Sequence, residues 1–359
     1  MTRPRIFLAL VSLLATGACA PNRGTLFEKS LAEARRAHHS GRFDQAAERF
    51  DDAARSARLS RDRAYSRYES ALARARAGDV ARASRELRAL ANERPASAYA
   101  PQADYKAADL ASRSDPEVGL AELEGVLVRW PDDAVAKVAL ARLLRHDDQG
   151  GPEHGLARLE ALEPKVAGRA VEEDVAYARA RRLADLDRLE PARAAFLRVA
   201  ERWPYPKGGY FDDALFRASE VEEKLGRPLE AIALLERLLS FRESSTLIGS
   251  YERPMYVPAL LRIAKVYEET LDDRARARAA LHRLYLDFRT SDKRDDALWR
   301  EADLWKKDND EATACNRLAS LANDFPDSRY VPCAVDRCPS VKRPARSRAP
   351  ATCHAYLTR

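Results

Sequence analysis

Glycine is scarce in this chain, 14 residues in 359, and cysteine (5), tryptophan (4) and methionine (2) are scarcer still. So little glycine leaves few of the turns an all-β domain needs, while the strong helix formers Ala, Leu, Arg and Glu dominate. Aromatic residues make up 8% and charged residues 33%, a composition that excludes a polytopic membrane protein. Beyond residue 15 no apolar stretch approaches the roughly 20 residues a spanning helix requires. Neither sign of charge prevails strongly, with 62 Lys plus Arg against 56 Asp plus Glu. Catalytic motifs are missing as well. There is no Gly-x-Ser-x-Gly, no His-Glu-x-x-His and no phosphate loop, and the six His are scattered. No enzyme, cofactor or metal site is therefore expected. His146 and His154 flank the acidic stretch 147–153, but that spacing matches no metal site and reads as a solvated loop.

What is there begins with an address. Arg3 and Arg5 precede an apolar run from Ile6 to Ala15, then Thr16, Gly17, Ala18 and Cys19. A cationic start, a short apolar core and small residues form a secretory signal. Thr16-Gly17-Ala18-Cys19 resembles the bacterial lipobox, with Thr where Leu is usual. The resemblance implies a signal peptide over 1–18, lipid on Cys19 and a tether over 19–26. Ala20, rather than Asp, fits sorting to the outer membrane with the body facing the periplasm. Each buried CH2 of an acyl chain contributes about 0.8 kcal/mol. At about 3.5 Å per residue the tether keeps the first helices close to the bilayer.

The body repeats. Ala46 precedes Phe50 by four residues as Ala192 precedes Phe196, and segments end alike at Arg94-Pro95, Trp130-Pro131, Trp203-Pro204 and Phe325-Pro326. Small and bulky apolar residues at spacings of three and four, as in Ala83, Leu87, Leu90 or Ala314, Leu318, Leu321, describe amphipathic helices. Ser97 and Ser328, shortly after a Pro, are expected to cap the helices that follow. These sets resemble the tetratricopeptide repeat: a small residue lets two helices approach, a bulky one fills the gap to the next unit, and Pro stops the second helix. The resemblance implies an all-α, right-handed superhelix, an α-solenoid of about eight units over 27–332. The style is similar to that of the repeat lipoprotein of the outer-membrane β-barrel assembly machine and of the Tol-Pal coordinating protein.

In such an array the first helix of each unit lines the inner groove. Carried across, the family's groove positions fall on Tyr68, Tyr177, Phe216 and Trp299, with Arg181 and Arg262 nearby. Aromatic and Arg residues are usual interface anchors. Two insertions, 204–211 and 242–258, are more apolar than linkers need, and Tyr205, Tyr210, Tyr251 and Tyr256 are candidate loop contacts.

Four cysteines remain after Cys19, all near the C-terminus: Cys315, Cys333, Cys338 and Cys353. An even count in an oxidising compartment reads as two disulfides with three connectivities. The favoured one joins Cys315 to Cys333, stapling the last repeat, and Cys338 to Cys353, closing a loop. Residues 329–359 carry seven Lys or Arg and one Asp, so basicity is a property of the tail. The tail, 333–359, with Pro344 and Pro350, reads as an extended segment able to reach anionic lipid or glycan. Nucleic acid is excluded by the export signal.

The functional expectation is a non-enzymatic, membrane-anchored scaffold that binds protein partners of the cell envelope, for assembly or coordination of its machinery. A structural lipoprotein of a secretion or motility complex, or a peptidoglycan-associated accessory, is the alternative.

Overall fold

The computed structural model describes residues 22–241, 253–354 and 357, and among these every regular element is a helix. In chain order they are α1 (Thr25–His39), α2 (Phe43–Ser56), α3 (Ser60–Ala77), α4 (Val80–Ala91), α5 (Ala100–Ser114), α6 (Pro116–Arg129), α7 (Ala134–Gly150), α8 (Pro152–Leu162), α9 (Glu172–Asp185), α10 (Leu189–Arg202), α11 (Phe211–Lys224), α12 (Pro228–Leu239), α13 (Tyr256–Lys265), α14 (Arg274–Asp287), α15 (Arg294–Lys307), α16 (Glu311–Asp324) and α17 (Val331–Arg337). Helices α1 to α16 form eight helix-turn-helix pairs, and α17 follows them. The protein is an all-α helical repeat. It divides into two compact units, residues 1–139 and 140–359, the division falling within α7.

The spacing of small and bulky residues explains each pair. Ala46 and Ala53 of α2 are fully buried and Phe50 nearly so; Ala192, Phe196 and Val199 of α10, and Ala314, Leu318 and Leu321 of α16, repeat the arrangement. Alanine removes the bulk that would hold two helix axes apart, and the ring then packs between neighbours at close range. Gly119 shows how near they come, for a Cβ there would lie 2.2 Å from the Ser112 Cα.

Between the two helices of six of the eight pairs one residue turns left-handed. It is Gly41, Gly78 or Gly226 in some pairs and Asp187, Asp272 or Asn309 in others. Only Gly, Asn and Asp visit that region readily. Asp79, Asp115, Asp273 and Asp310 then accept the amide of the third residue of the second helix, closing its open end. The serines after the prolines work one step earlier than expected. Ser97 and Ser328 accept from the amides of Tyr99 and Tyr330, the residues immediately before the next helix, at 3.3 and 3.2 Å.

Three readings are corrected. The acidic stretch after His146 is not a solvated loop: α7 runs through it to Gly150, and Asp147 is fully buried. Its carboxylate accepts from Arg158 Nε at 3.1 and 3.2 Å and contacts His154 Nδ1 at 3.2 Å, which satisfies the buried charge.

The tail is not extended over its described part. Val341 and Ala349 are buried, Arg343 donates to the carbonyls of Ala349 and Pro350, and the Arg348 amide donates to Asp327 at 2.6 Å. This segment covers the apolar face the last pair would otherwise expose.

The disulfides join Cys315 to Cys338 and Cys333 to Cys353, not the favoured pairs. Cys333 and Cys338 lie at the two ends of α17, and five residues of helix turn them to different sides. Cys338 therefore faces α16, with Cα atoms 5.6 Å apart, while Cys333 faces the returning tail at 4.5 Å.

Phe196→Ala is expected to destabilise unit 2 by about 3–5 kcal/mol, read by chemical denaturation. Peptide mapping without reduction should recover the 315–338 and 333–353 pairs, and removing either bridge should cost roughly 3 kcal/mol.

Candidate functional site

The aromatic residues expected to line a groove serve instead as joints between successive pairs. In unit 2, Tyr177 of α9 is 9% exposed and lies flat on Tyr210, with ring centroids 4.3 Å apart and planes within 12°. Tyr210 immediately precedes α11, and its hydroxyl donates to Asp174, one turn before Tyr177, at 3.1 Å. Trp299 of α15, 7% exposed, repeats the joint on Tyr330 at 4.9 Å, whose hydroxyl donates to Asp296 at 2.6 Å. The Arg337 guanidinium covers the Trp299 ring from 4.1 Å. In unit 1, Tyr68 stacks on Tyr99 at 5.6 Å, and Tyr65 stands where the other joints have Asp. Each stack is worth roughly 0.5–1.5 kcal/mol beyond the area it buries.

Phe216 belongs to a different joint. It is half-buried beneath Arg262, 5.6 Å from its ring, and Arg262 is tied to Glu220 at 2.8 Å and Glu223 at 2.5 Å. The loop candidates pack inward too. Tyr205 lies under Arg253 at 4.5 Å, and Tyr256 is buried against Phe288, 6.0 Å away. Gly208 permits the tight return of this loop, since a Cβ there would meet the Trp203 carbonyl oxygen at 1.9 Å. Tyr251 and Cys19 lie outside the described residues.

What stays open on the first-helix side of unit 2 is a cleft of about 210 Å³ between α9 and α11. Its floor is Ala184, Phe196 and Val221; its rim carries Arg181, Asp185, Arg217, Glu220 and Lys224. The cations along this face are mostly tied to acids. Arg217 and Arg262 share Glu220, Arg300 and Lys307 share Glu268, and Arg337 pairs with Asp303. Arg181 is exposed and makes no ion pair or hydrogen bond among the described residues. Burial pushes the nearby Asp213 carboxyl up, while the charges of Arg217 and Arg181 pull it back.

Of the groove candidates, then, Arg181 lines the cleft and Arg262 braces its wall through Glu220, whereas Tyr177 and Trp299 are withdrawn from the surface. Asp213, Arg217 and Lys224 were not among the sequence candidates. Their signal was the charged series 213, 217, 220, 224 running beside Phe216 at helical spacing. Among the described residues no group of His, Cys, Asp or Glu is placed to hold a metal, and no helix is long and apolar enough to cross a membrane.

The tetratricopeptide repeat family matches residues 258–291 and 296–328, the pairs α13 with α14 and α15 with α16. No protein of curated function matches the chain. Solved structures similar to it include the TPR2AB domain of yeast Sti1 in complex with pHSP90, at 16% identity over 84% of this chain and 98% of that one, with a TM-score of 0.30. Pseudomonas aeruginosa pilF aligns at 16% identity over 75% and 96%, with a TM-score of 0.32. A tetratricopeptide repeat protein from Parabacteroides merdae aligns at 12% over 88% and 99%, with a TM-score of 0.28.

The joints carry a pH signature. Burial first, then the Asp174 carboxylate, pushes the Tyr210 hydroxyl up to about 12, and burial with the Asp296 bond does the same for Tyr330. An unfolded tyrosine loses its proton near about 10, so between these values the folded state holds protons the unfolded state has released. Stability from the joints is therefore present below pH ~10 and lost as pH rises to ~12. Denaturation midpoints should fall over that window, and Tyr210→Phe with Tyr330→Phe should flatten the fall.

Proposed function

We propose that this chain, which carries tetratricopeptide repeats, is a scaffold anchored to the bacterial outer membrane through lipid on Cys19 and holding protein partners of the cell envelope in the periplasm. The cleft between α9 and α11 carries the reading. An apolar floor beside an exposed guanidinium that makes no ion pair among the described residues suits an extended partner segment that places an apolar side chain on Phe196 and a carboxylate at Arg181. The surrounding cations are already matched by acids, so they fix the shape of the face and leave selection to Arg181. By resemblance to repeat lipoproteins of the envelope, the role is assembly or coordination of envelope machinery, including β-barrel insertion.

A photocrosslinking residue at position 181 or 224, placed in the native host, should give discrete adducts identified by mass spectrometry. Position 229, exposed on α12, is the control and should give none of them. Arg181→Glu should weaken capture of the same partner by at least tenfold. Adducts from barrel-assembly components support the assembly role; adducts from secretion, motility or cell-wall proteins assign the scaffold to those machines. Capture unchanged by Arg181→Glu would remove the cleft from the mechanism. Cys19→Ala should release the protein from the membrane fraction.

A further inference from the structure

The end of unit 1 from which the chain runs back toward its N-terminal segment is an arginine surface. Arg23 donates to both oxygens of Asp62, at 2.7 and 2.6 Å, which holds the residue ahead of α1 against the first turn of α3. Gly24 comes next, and a Cβ on it would lie 3.2 Å from Arg58 Nε. Arg58 thus sits directly beside the start of α1, and Arg61 and Arg63 stand in the first turn of α3 at the same end. All three are exposed.

The aspartates nearest them are already engaged. Asp62 is taken by Arg23, and Asp52 by Arg49 and Arg55. Arg58 and Arg61 make no ion pair or hydrogen bond among the described residues, and Arg63 donates only to the Ala57 carbonyl, at 3.3 Å. Glu28, in the first turn of α1, is the remaining acid there, and its field falls on Arg23. In the first turn of α1, two residues after Gly24, Leu26 is 71% exposed, more than any other large apolar side chain described.

We infer that this end of unit 1 docks on an anionic bilayer surface, with Leu26 entering the headgroup layer and Arg58, Arg61 and Arg63 bonded to lipid phosphates. Guanidinium forks match phosphate oxygens, and an exposed apolar side chain at the same end of the unit as a group of cations is the combination an interfacial contact uses. The occupant is a bilayer rather than a soluble anion because Cys19, which carries the lipid in the anchored reading, lies only four residues before Arg23 in the chain. A second attachment beside an acyl anchor also sets which side of the array faces the membrane. The inference rests on the anchored reading above.

The test uses the full chain carrying Cys19→Ala, so that no acyl group contributes, with phosphatidylcholine vesicles and with vesicles rich in phosphatidylglycerol. At low salt the anionic vesicles should raise partitioning roughly a hundredfold, from three cations near the surface. Arg58→Gln, Arg61→Gln and Arg63→Gln together should abolish that gain, leaving partitioning to neutral vesicles and the thermal midpoint unchanged. The corresponding triple Lys variant should retain most of it. Equal partitioning to both vesicles overturns the inference, as does a gain that survives in the Gln variant, which would belong to exposed tail cations such as Lys342 and Arg346. If the anchored reading fails, it does so separately, as an unmodified Cys19 in the mass spectrum of the native protein.

Discussion

Between the first helix of one pair and the start of the next, an aromatic ring lies flat on a tyrosine whose hydroxyl is held by an aspartate one turn back. Asp174, Tyr177 and Tyr210 make this contact, and Asp296, Trp299 and Tyr330 make it again. A helix pair cannot bury both of its faces alone, so a repeat array depends on the contact from pair to pair. Here that contact is directional. Stacking sets the distance between first helices, the hydroxyl sets the rotation, and the remaining side chains of the first-helix face are arranged around it.

Within a pair the controlling feature is different. Alanine at the crossing and a bulky residue one turn on are sufficient, and because they recur at helical spacing they could be read directly from the sequence at Ala46 and Phe50 or Ala192 and Phe196. The aromatic positions of the first helices were legible as a recurring position but not as a function. A residue that repeats once per unit satisfies a groove and a joint equally well, and only the ring opposite distinguishes them. That ring was visible, since Tyr99 and Tyr330 follow the Pro-x-Ser pattern, but its partner lies some thirty residues away and leaves no local trace. The cleft was harder still, for Asp213, Arg217 and Lys224 belong to a charged series of the kind that usually covers a solvated helix face.

Other departures follow from long-range compensation. An acidic run with glycine reads as a loop that leaves Asp147 in solvent, whereas Arg158, eleven residues on, offsets the charge that its burial brings in. A staple of the last repeat and a closed tail loop favour Cys315 with Cys333 and Cys338 with Cys353, but α17 turns Cys333 and Cys338 to different neighbours. In both cases a helix longer or better placed than local composition suggests carries a side chain to a partner the sequence does not mark.

The joints of unit 2 are not alike, and this gives the array an uneven compliance. Where Tyr177 meets Tyr210 and Trp299 meets Tyr330, the contact is stacked rings with a buried hydroxyl bond, which dissolved ions scarcely weaken. Where α11 meets α13, the half-exposed part of the contact is a guanidinium over Phe216 held by two glutamates, and where the turn after α13 meets α15 it is Glu268 held by Arg300 and Lys307, pairs that screening softens. Under load or in strong electrolyte, bending should concentrate at these ion-paired contacts while the stacked ones stay stiff, and a partner spanning them would feel the ionic strength of its surroundings as a change in curvature.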